Sequence, residues 1–405
     1  MKSIRIGVIF DQKIGVGGGY HQALNSALMM LEIPDELAEP IFFTTYKENI
    51  SILKMYGINA KEIQLSFIEK VKDKLRRKIL NKSIYQVIKK VDKYSSFEKK
   101  LIKHKIDLVY FLSPTDLPQS LEKLNYITTL WDMCHRDDPE FPEVRQNKEF
   151  EKRDENYKKI LPKATAILVD SELSKYNVLN RYGIDSERIH IIPFQPSRII
   201  HDKIELNKNK KINIYERFNV DSYIFYPAQF WPHKNHVYLL NGLHLLDKNY
   251  GIRIAAIFSG GDMGNKKHVE KFAFTLNLQD RIRFTGYISD EDVLELYRQS
   301  IALVMPSYFG PTNIPPLEAF ALGVPVLYPD KKGLRDQVGD AALLMDLKDP
   351  NSMALHLKKL IENNKLREQL IKSGYTRLKH FNSYDRVGIL KNIIQDFRWR
   401  HFCWN

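Results

Sequence analysis

Short apolar runs recur along the chain, and most are followed by a stretch of helical period. In the first half the runs are Ile4–Phe10, Ile41–Thr45, Glu62–Phe67, Asp107–Ser113, Tyr126–Leu130, Ala164–Val169 and His190–Pro193. In the second half they are Tyr223–Pro227, Arg253–Ser259, Ile282–Gly286, Ile301–Met305, Pro325–Tyr328 and Ala341–Met345. Most are continuously apolar rather than alternating, the pattern of strands buried on both faces of a parallel sheet. Helical spacing predicts helices over Tyr20–Leu31, Val144–Leu161, Glu172–Tyr182, from Asn235, over Asp290–Tyr297, Pro350–Ser373 and Tyr384–Arg400. Strand and helix in regular alternation predict an α/β protein.

Where strands end, the punctuation is informative. Ile4–Phe10 runs into Gly15, Gly17, Gly18 and Gly19 before a helix, a Rossmann-like opening. The glycine spacing differs from the dinucleotide pattern, and no acidic residue clearly ends a second strand, so an oxidoreductase is disfavoured. Asp170 and Ser171 cap the helix from Glu172, and Gly183 follows it. A second strand-loop-helix unit reads YIFYPAQFWPHKNH from Tyr223. Gly260 and Gly261 close another strand, where a missing side chain lets backbone come near a ligand. Between Pro306 and Pro325 the chain reads PSYFGPTNIPPLEAFALGVP. There Pro315 and Pro316 open a short helix, Glu318 sits in its first turn and Gly323 closes it. The unpaired amides and positive dipole end of that helix form a ready anion site.

The 405 residues suffice for two domains, with boundaries at 1–198 and 218–383, a polar linker at 199–217, and a last helix, 384–405, that crosses back onto the first. Two cysteines, Cys134 and Cys403, exclude a disulfide framework and favour a reducing compartment. No secretory signal or apolar run of about 20 residues is seen, so a cytoplasmic location is expected. The formal net charge is +13, and much of it lies in residues 69–105, with fourteen Lys or Arg against four Asp or Glu. Leu75, Ile79, Ile84, Val87, Ile88 and Val91 recur there at helical spacing. Such a helix either meets an anionic membrane, at the inner face of the plasma membrane, or is a solvated face. No nucleic-acid motif accompanies the charge, and nucleic acid is not an expected partner. Trp231, His233 and His236 crowd around Lys234, but no ligand spacing supports a metal, and none is expected as cofactor.

Three of these stretches resemble, in order, segments of the retaining glycosyltransferases of the "group 1" family, which have two Rossmann-like domains facing across a cleft (GT-B). They are VDSELSKYNVLNRYGIDSERIHIIP, the loop carrying Lys234, and the helix from Pro315 to Glu318. Together they cover most of residues 126–345. The resemblance implies a hexosyltransferase that uses a nucleotide-diphosphate sugar, with a glycan or lipid-linked acceptor, as in bacterial surface polysaccharide (O-antigen or capsule) synthesis. It implies that Lys234 neutralises the diphosphate and Glu318 accepts the ribose hydroxyls. Amides near Asn313, Ile314 and Leu317 would face diphosphate and sugar, Tyr287 the base, and Gly18, Gly19, Gly260 and Gly261 the donor. Asp132 and His135 follow the strand that in the family ends at a sugar-contacting histidine; that position is Trp131 here, and His135 is either a cleft residue or a structural one.

The departures are specific. Gln229 stands where the family has an arginine. Gly310 stands where it usually has a first motif glutamate, within the variant Phe309-Gly310-Pro311-Thr312-Asn313. Thr312 and Asn313 are then the candidates for the sugar contact. These losses keep two other readings open: a non-catalytic sugar-nucleotide-binding protein and a sugar-nucleotide epimerase. The base and sugar are also open between GDP-mannose and UDP- or dTDP-hexoses.

Overall fold

The structure is a computed structural model that describes residues 2–15, 18–69, 71–73, 94–198, 200 and 213–404. Most of the basic stretch, residues 70 and 74–93, and most of the linker, residues 199 and 201–212, lie outside the described residues. The chain divides into two compact units.

The first unit takes Met1–Trp131, Glu151–Pro193 and Asp385–Asn405. Its strands are β1 (Ile4–Phe10), β2 (Ala38–Thr44), β3 (Lys61–Glu62), β4 (Leu108–Phe111), β5 (Asn125–Thr129), β6 (Ala166–Val169) and β7 (Ile189–Ile191). They form one sheet in the order β3-β2-β1-β4-β5-β6-β7, and all the pairs are parallel. The apolar runs do what their composition dictates: Ile6, Val8, Leu108, Tyr110 and Leu168 are core. β3 is only two residues long, much shorter than the apolar run 62–67, because Phe67 and Ile68 turn outward and are 81% and 65% exposed.

The final helix, Arg386–His401, belongs to this unit. Leu390, Ile393, Ile394 and Phe397 form one stripe against the core. The Arg386 guanidinium donates to the Pro193 carbonyl at 2.9 Å and Arg398 to that of Lys2 at 3.0 Å. Of the aromatic residues at its end, only Phe397 packs here. Trp399, Phe402 and Trp404 are 58%, 64% and 57% exposed. At 100° per residue, Trp399 lies on the far side of the helix from Phe397, and the other two follow the last helical turn.

The second unit takes Phe194–Tyr384 together with Asp132–Phe150, a segment within the 1–198 bounds expected for the first domain. Its strands are β8 (Tyr223–Pro227), β9 (Ala255–Ser259), β10 (Ile282–Gly286), β11 (Leu303–Val304), β12 (Val326–Pro329) and β13 (Ala342–Met345). They are parallel and ordered β10-β9-β8-β11-β12-β13. Strand order reverses between β8 and β11, so the connections leaving their carboxyl ends go to opposite sides and open a crevice there. The helix expected at 144–161 is broken in two, because Asn147 takes a left-handed φ of 55° between Pro142–Arg145 and Glu149–Ile160.

Candidate active site

In the second unit the loops leaving β8 and β11 meet over the crevice. After β8 the chain makes a tight turn at Pro232–Lys234 and enters the helix His236–Tyr250. After β11 it runs through 305–313 into the helix Ile314–Ala321. The Tyr308 N–H donates to the His233 carbonyl at 2.9 Å. The His233 ring lies flat on Phe309, with centroids 3.9 Å apart and planes within 6°.

Lys234 occupies the end of the first loop. The residue is only partly buried, yet it sits deep enough among protein atoms that desolvation pulls its pKa down to about 8 against the opposing fields of Cys134, Asp132 and Glu143. No ion pair or side-chain hydrogen bond holds this ammonium among the described residues. A poorly solvated cation without an ion pair at a switch point is a place for an anion. His233 beside it is neutral, since burial lowers its pKa to about 4 even with Glu143 at 2.5 Å from Nδ1.

Gln229, Gly260, Gly261 and Tyr287 come together on the β9–β10 side. The Gly260 N–H donates to the Gly286 carbonyl and the Phe230 N–H to that of Gly261, both at 3.0 Å. Gly260 has φ +150°, and a Cβ there would stand 2.4 Å from the Ala228 carbonyl oxygen, so only glycine lets the two loops approach. A Cβ on Gly261 would stand 3.0 Å from the Tyr287 ring. Gln229 reaches the Tyr287 hydroxyl at 3.4 Å, and the Trp231 indole N–H donates to Gln229 at 3.3 Å. The Tyr287 ring is exposed.

The β11 loop is locked from within. Gly310 has φ +102°, and a Cβ there would stand 2.7 Å from the Thr312 carbonyl oxygen. A glutamate at this position therefore does not fit this loop conformation. Gln337 grips the Asn313 backbone at both ends, accepting from its N–H at 2.9 Å and donating to its carbonyl at 2.6 Å. The Asn313 side-chain amide donates to the Tyr328 hydroxyl at 2.7 Å and the Phe309 carbonyl at 3.3 Å. Asn313 thus spends its donors, main chain and side chain, on shaping the loop rather than on facing a ligand. Thr312 is buried.

The helix begins at Ile314, one residue before the two prolines, and Glu318 falls past its first turn. Leu317 is fully buried. Glu318 is 8% exposed; it accepts from the Tyr297 hydroxyl at 3.0 Å and from Ser197, and burial raises its pKa in spite of them. Asp132 accepts from the Cys134 N–H at 3.0 Å and starts the turn Cys134–Asp137. His135 is fully buried, its ring edge-on to Phe150. Gly18 and Gly19 lie in the first unit, after β1, where they open the helix Gly19–Leu31. A Cβ on Gly19 would stand 2.6 Å from the Trp131 ring, so that tryptophan is packed on the glycine.

Several residues that build the site carry no local signal. Glu143, Cys134, Gln337, Tyr297 and Ser197 reach it only through tertiary structure. The acidic, proline-flanked string Asp138–Glu143 is the one hint of the first. Among the described residues no group of three or more His, Cys, Asp or Glu is placed to hold a metal ion.

The chain is similar to known proteins in the same sense. Residues 207–377 match the family described as "Glycosyl transferases group 1". The O-antigen chain mannosyltransferase B of Escherichia coli is 26% identical over 278 residues, 68% of this chain and 71% of that one. The O-antigen chain mannosyltransferase RfbU of Salmonella typhimurium is 24% identical over 194 residues, 48% of this chain and 50% of that one. Among solved structures, Anabaena Alr3699/HepE in complex with UDP-glucose superposes with a TM-score of 0.64 at 15% identity, over 97% of this chain and 98% of that one.

Proposed function

Starting from a glycosyltransferase-type enzyme of GT-B fold, we propose that this chain transfers a hexose from a nucleotide-diphosphate sugar to a glycan or lipid-linked acceptor. We place it in the synthesis of a bacterial surface polysaccharide, with mannose the first sugar to test. The observation that carries the reading is the poorly solvated Lys234 ammonium, without an ion pair among the described residues, at the β8–β11 switch point.

In this reading the pyrophosphate of the donor lies against Lys234 and the N-terminus of the helix Ile314–Ala321. Both are fixed before the reaction, so they stabilise the charge that grows on the leaving diphosphate without reorganising. The Tyr287 ring offers the base a flat exposed face beside Gln229. Glu318 accepts the ribose hydroxyls beside its bonds to Tyr297 and Ser197. The acceptor hydroxyl attacks on the face that the diphosphate leaves, through an oxocarbenium-like state, and the anomeric configuration is retained. Acceptor binding is assigned to the first unit. A cavity of about 720 Å³ opens there beyond the carboxyl ends of β1, β2 and β3, lined among others by Asp11, Lys13, Tyr46, Lys47 and Asp116. The basic stretch 69–105 holds the enzyme at the inner face of the membrane where a lipid-linked acceptor resides. No described helix is long and apolar enough to cross a membrane.

The test is nucleotide release from GDP-mannose, UDP-glucose and dTDP-glucose, with and without a lipid-linked oligosaccharide acceptor, followed by NMR of the new linkage. Acceptor-dependent release and an axial-leaving, axial-product outcome support the reading. Donor binding without release would leave a binding protein, and no binding of any of the three would remove the donor site altogether.

A further inference from the structure

The segment Asp132–Phe150 leaves the first unit after Trp131, rejoins it at Glu151, and makes its contacts in the second. It meets the two site loops, and the turn after β12, through four residues. The Cys134 sulfur accepts the Gly310 N–H at 3.3 Å. Asp138 pairs with Lys331 at 2.6 Å, and that ammonium also donates to the Tyr308 carbonyl at 2.8 Å. Glu143 Oε1 accepts from the His233 backbone N–H at 3.0 Å and faces its ring Nδ1 at 2.5 Å. Phe141 fills the space between, with ring centroids 5.2 Å from both Tyr308 and Phe309.

Glu143 is the unusual member. Its side chain is 8% exposed, and its second oxygen, Oε2, is buried with no hydrogen-bond partner. A buried carboxylate with one oxygen unmatched is costly and needs a compensating cation. The next residue after its partner His233 is Lys234, whose ammonium is poorly solvated and lacks an ion pair among the described residues. The field of Glu143 acts on that ammonium, and the two residues are linked through the short turn that Glu143 holds.

We infer that Glu143 is a positioning residue for diphosphate binding and departure: it fixes the Pro232–Lys234 turn through His233, and so holds the Lys234 ammonium where the phosphates bind. This rests on the donor site proposed above. The neutral His233 ring, clamped between Glu143 and Phe309, transmits the position, and Glu143 touches no reacting atom.

The experiment compares wild type with Glu143→Gln, which keeps size and an acceptor oxygen but removes the charge. Affinities are measured for the nucleotide sugar that wild type prefers, for its nucleoside diphosphate, and for the bare nucleoside. The expected result is a loss of about tenfold for both diphosphates and no change for the nucleoside. In kinetics kcat falls more than KM rises, since the growing leaving-group charge feels the change most. In a Lys234→Met background the same E143Q change has no further effect on diphosphate affinity. Equal losses for nucleoside and diphosphate, full additivity with K234M, or unchanged diphosphate affinity would each overturn the inference. Should E143Q not fold, Glu143→Asp carries the test: a loss confined to the diphosphates supports it, and wild-type affinities overturn it. Failure of wild type itself to bind any nucleotide sugar would instead strike the donor site, and is distinguishable because no variant is involved.

Discussion

If Lys234 holds the donor pyrophosphate, donor affinity must titrate with this one ammonium. Burial takes it from the ordinary lysine value of 10.5 to about 8. At about 1.4 kcal/mol per unit, keeping it charged without a bound anion costs roughly 3 kcal/mol. A pyrophosphate against it offsets that cost, and only the protonated form can provide the attraction. A nucleotide-sugar pyrophosphate stays ionised throughout, so the bound fraction follows Lys234 alone. Between about pH 7 and about pH 9 the protonated fraction falls from about nine-tenths to about one-tenth, and affinity should weaken about tenfold. The neighbours do not confuse the reading: His233 titrates near 4, and burial pushes the Cys134 thiol well above its usual range. Calorimetry in two buffers of different ionisation heat would show the matching proton uptake above about pH 8. Lys234→Met should bind more weakly and lose the pH dependence. A flat wild-type profile, or an unchanged slope in K234M, would refute the assignment of the phosphate site to this residue.

Three further outcomes follow from the same geometry. Gly260→Ala puts a methyl 2.4 Å from the Ala228 carbonyl at φ +150°; a loss of about 1–3 kcal/mol in urea unfolding is expected. Gln337→Ala strips both hydrogen bonds from the Asn313 backbone; amide exchange in the loop 309–314 should rise about tenfold or more, with a stability loss of about 1–3 kcal/mol. Glu318 holds its proton more tightly folded than unfolded, because burial, the largest influence, raises its pKa from 4.5. Its contribution is therefore full below about pH 4.5 and declines as pH rises above it. The urea stability of wild type minus that of Glu318→Gln should fall with pH over that interval, and a difference that grew would contradict the sign.

Both parallel sheets are legible in the sequence, because strands covered on both faces must be continuously apolar, as IRIGVIF and YIFYP are. Strand order is not, since no local signal says that β11 pairs with β8. Lys234 and Glu318 stand out because their signatures lie within a few residues of them. Glu143 does not, because its partner His233 is 90 positions away. The Asn313–Gln337 grip spans 24 positions and the Glu318–Tyr297 bond 21. Asn313 shows the general difficulty: an amide in a polar loop reads as a ligand contact, while its real partners, Tyr328 and Gln337, sit on elements whose approach depends on the finished fold. The aromatic tail misleads in the opposite direction, since composition alone cannot say which side of a helix Trp399 occupies.

The path of the chain has a practical consequence for anyone wishing to transplant the Lys234 loop. The segment recognised by the family spans 207–377 and contains Lys234 and Glu318, but not Asp132–Phe150. A chimera cut at those borders would carry the cation and leave behind Glu143, Phe141 and Cys134, exposing the His233–Phe309 stack to water. Grafting this loop onto another scaffold therefore means moving two stretches of polypeptide, one of them lying in sequence between two parts of the first unit.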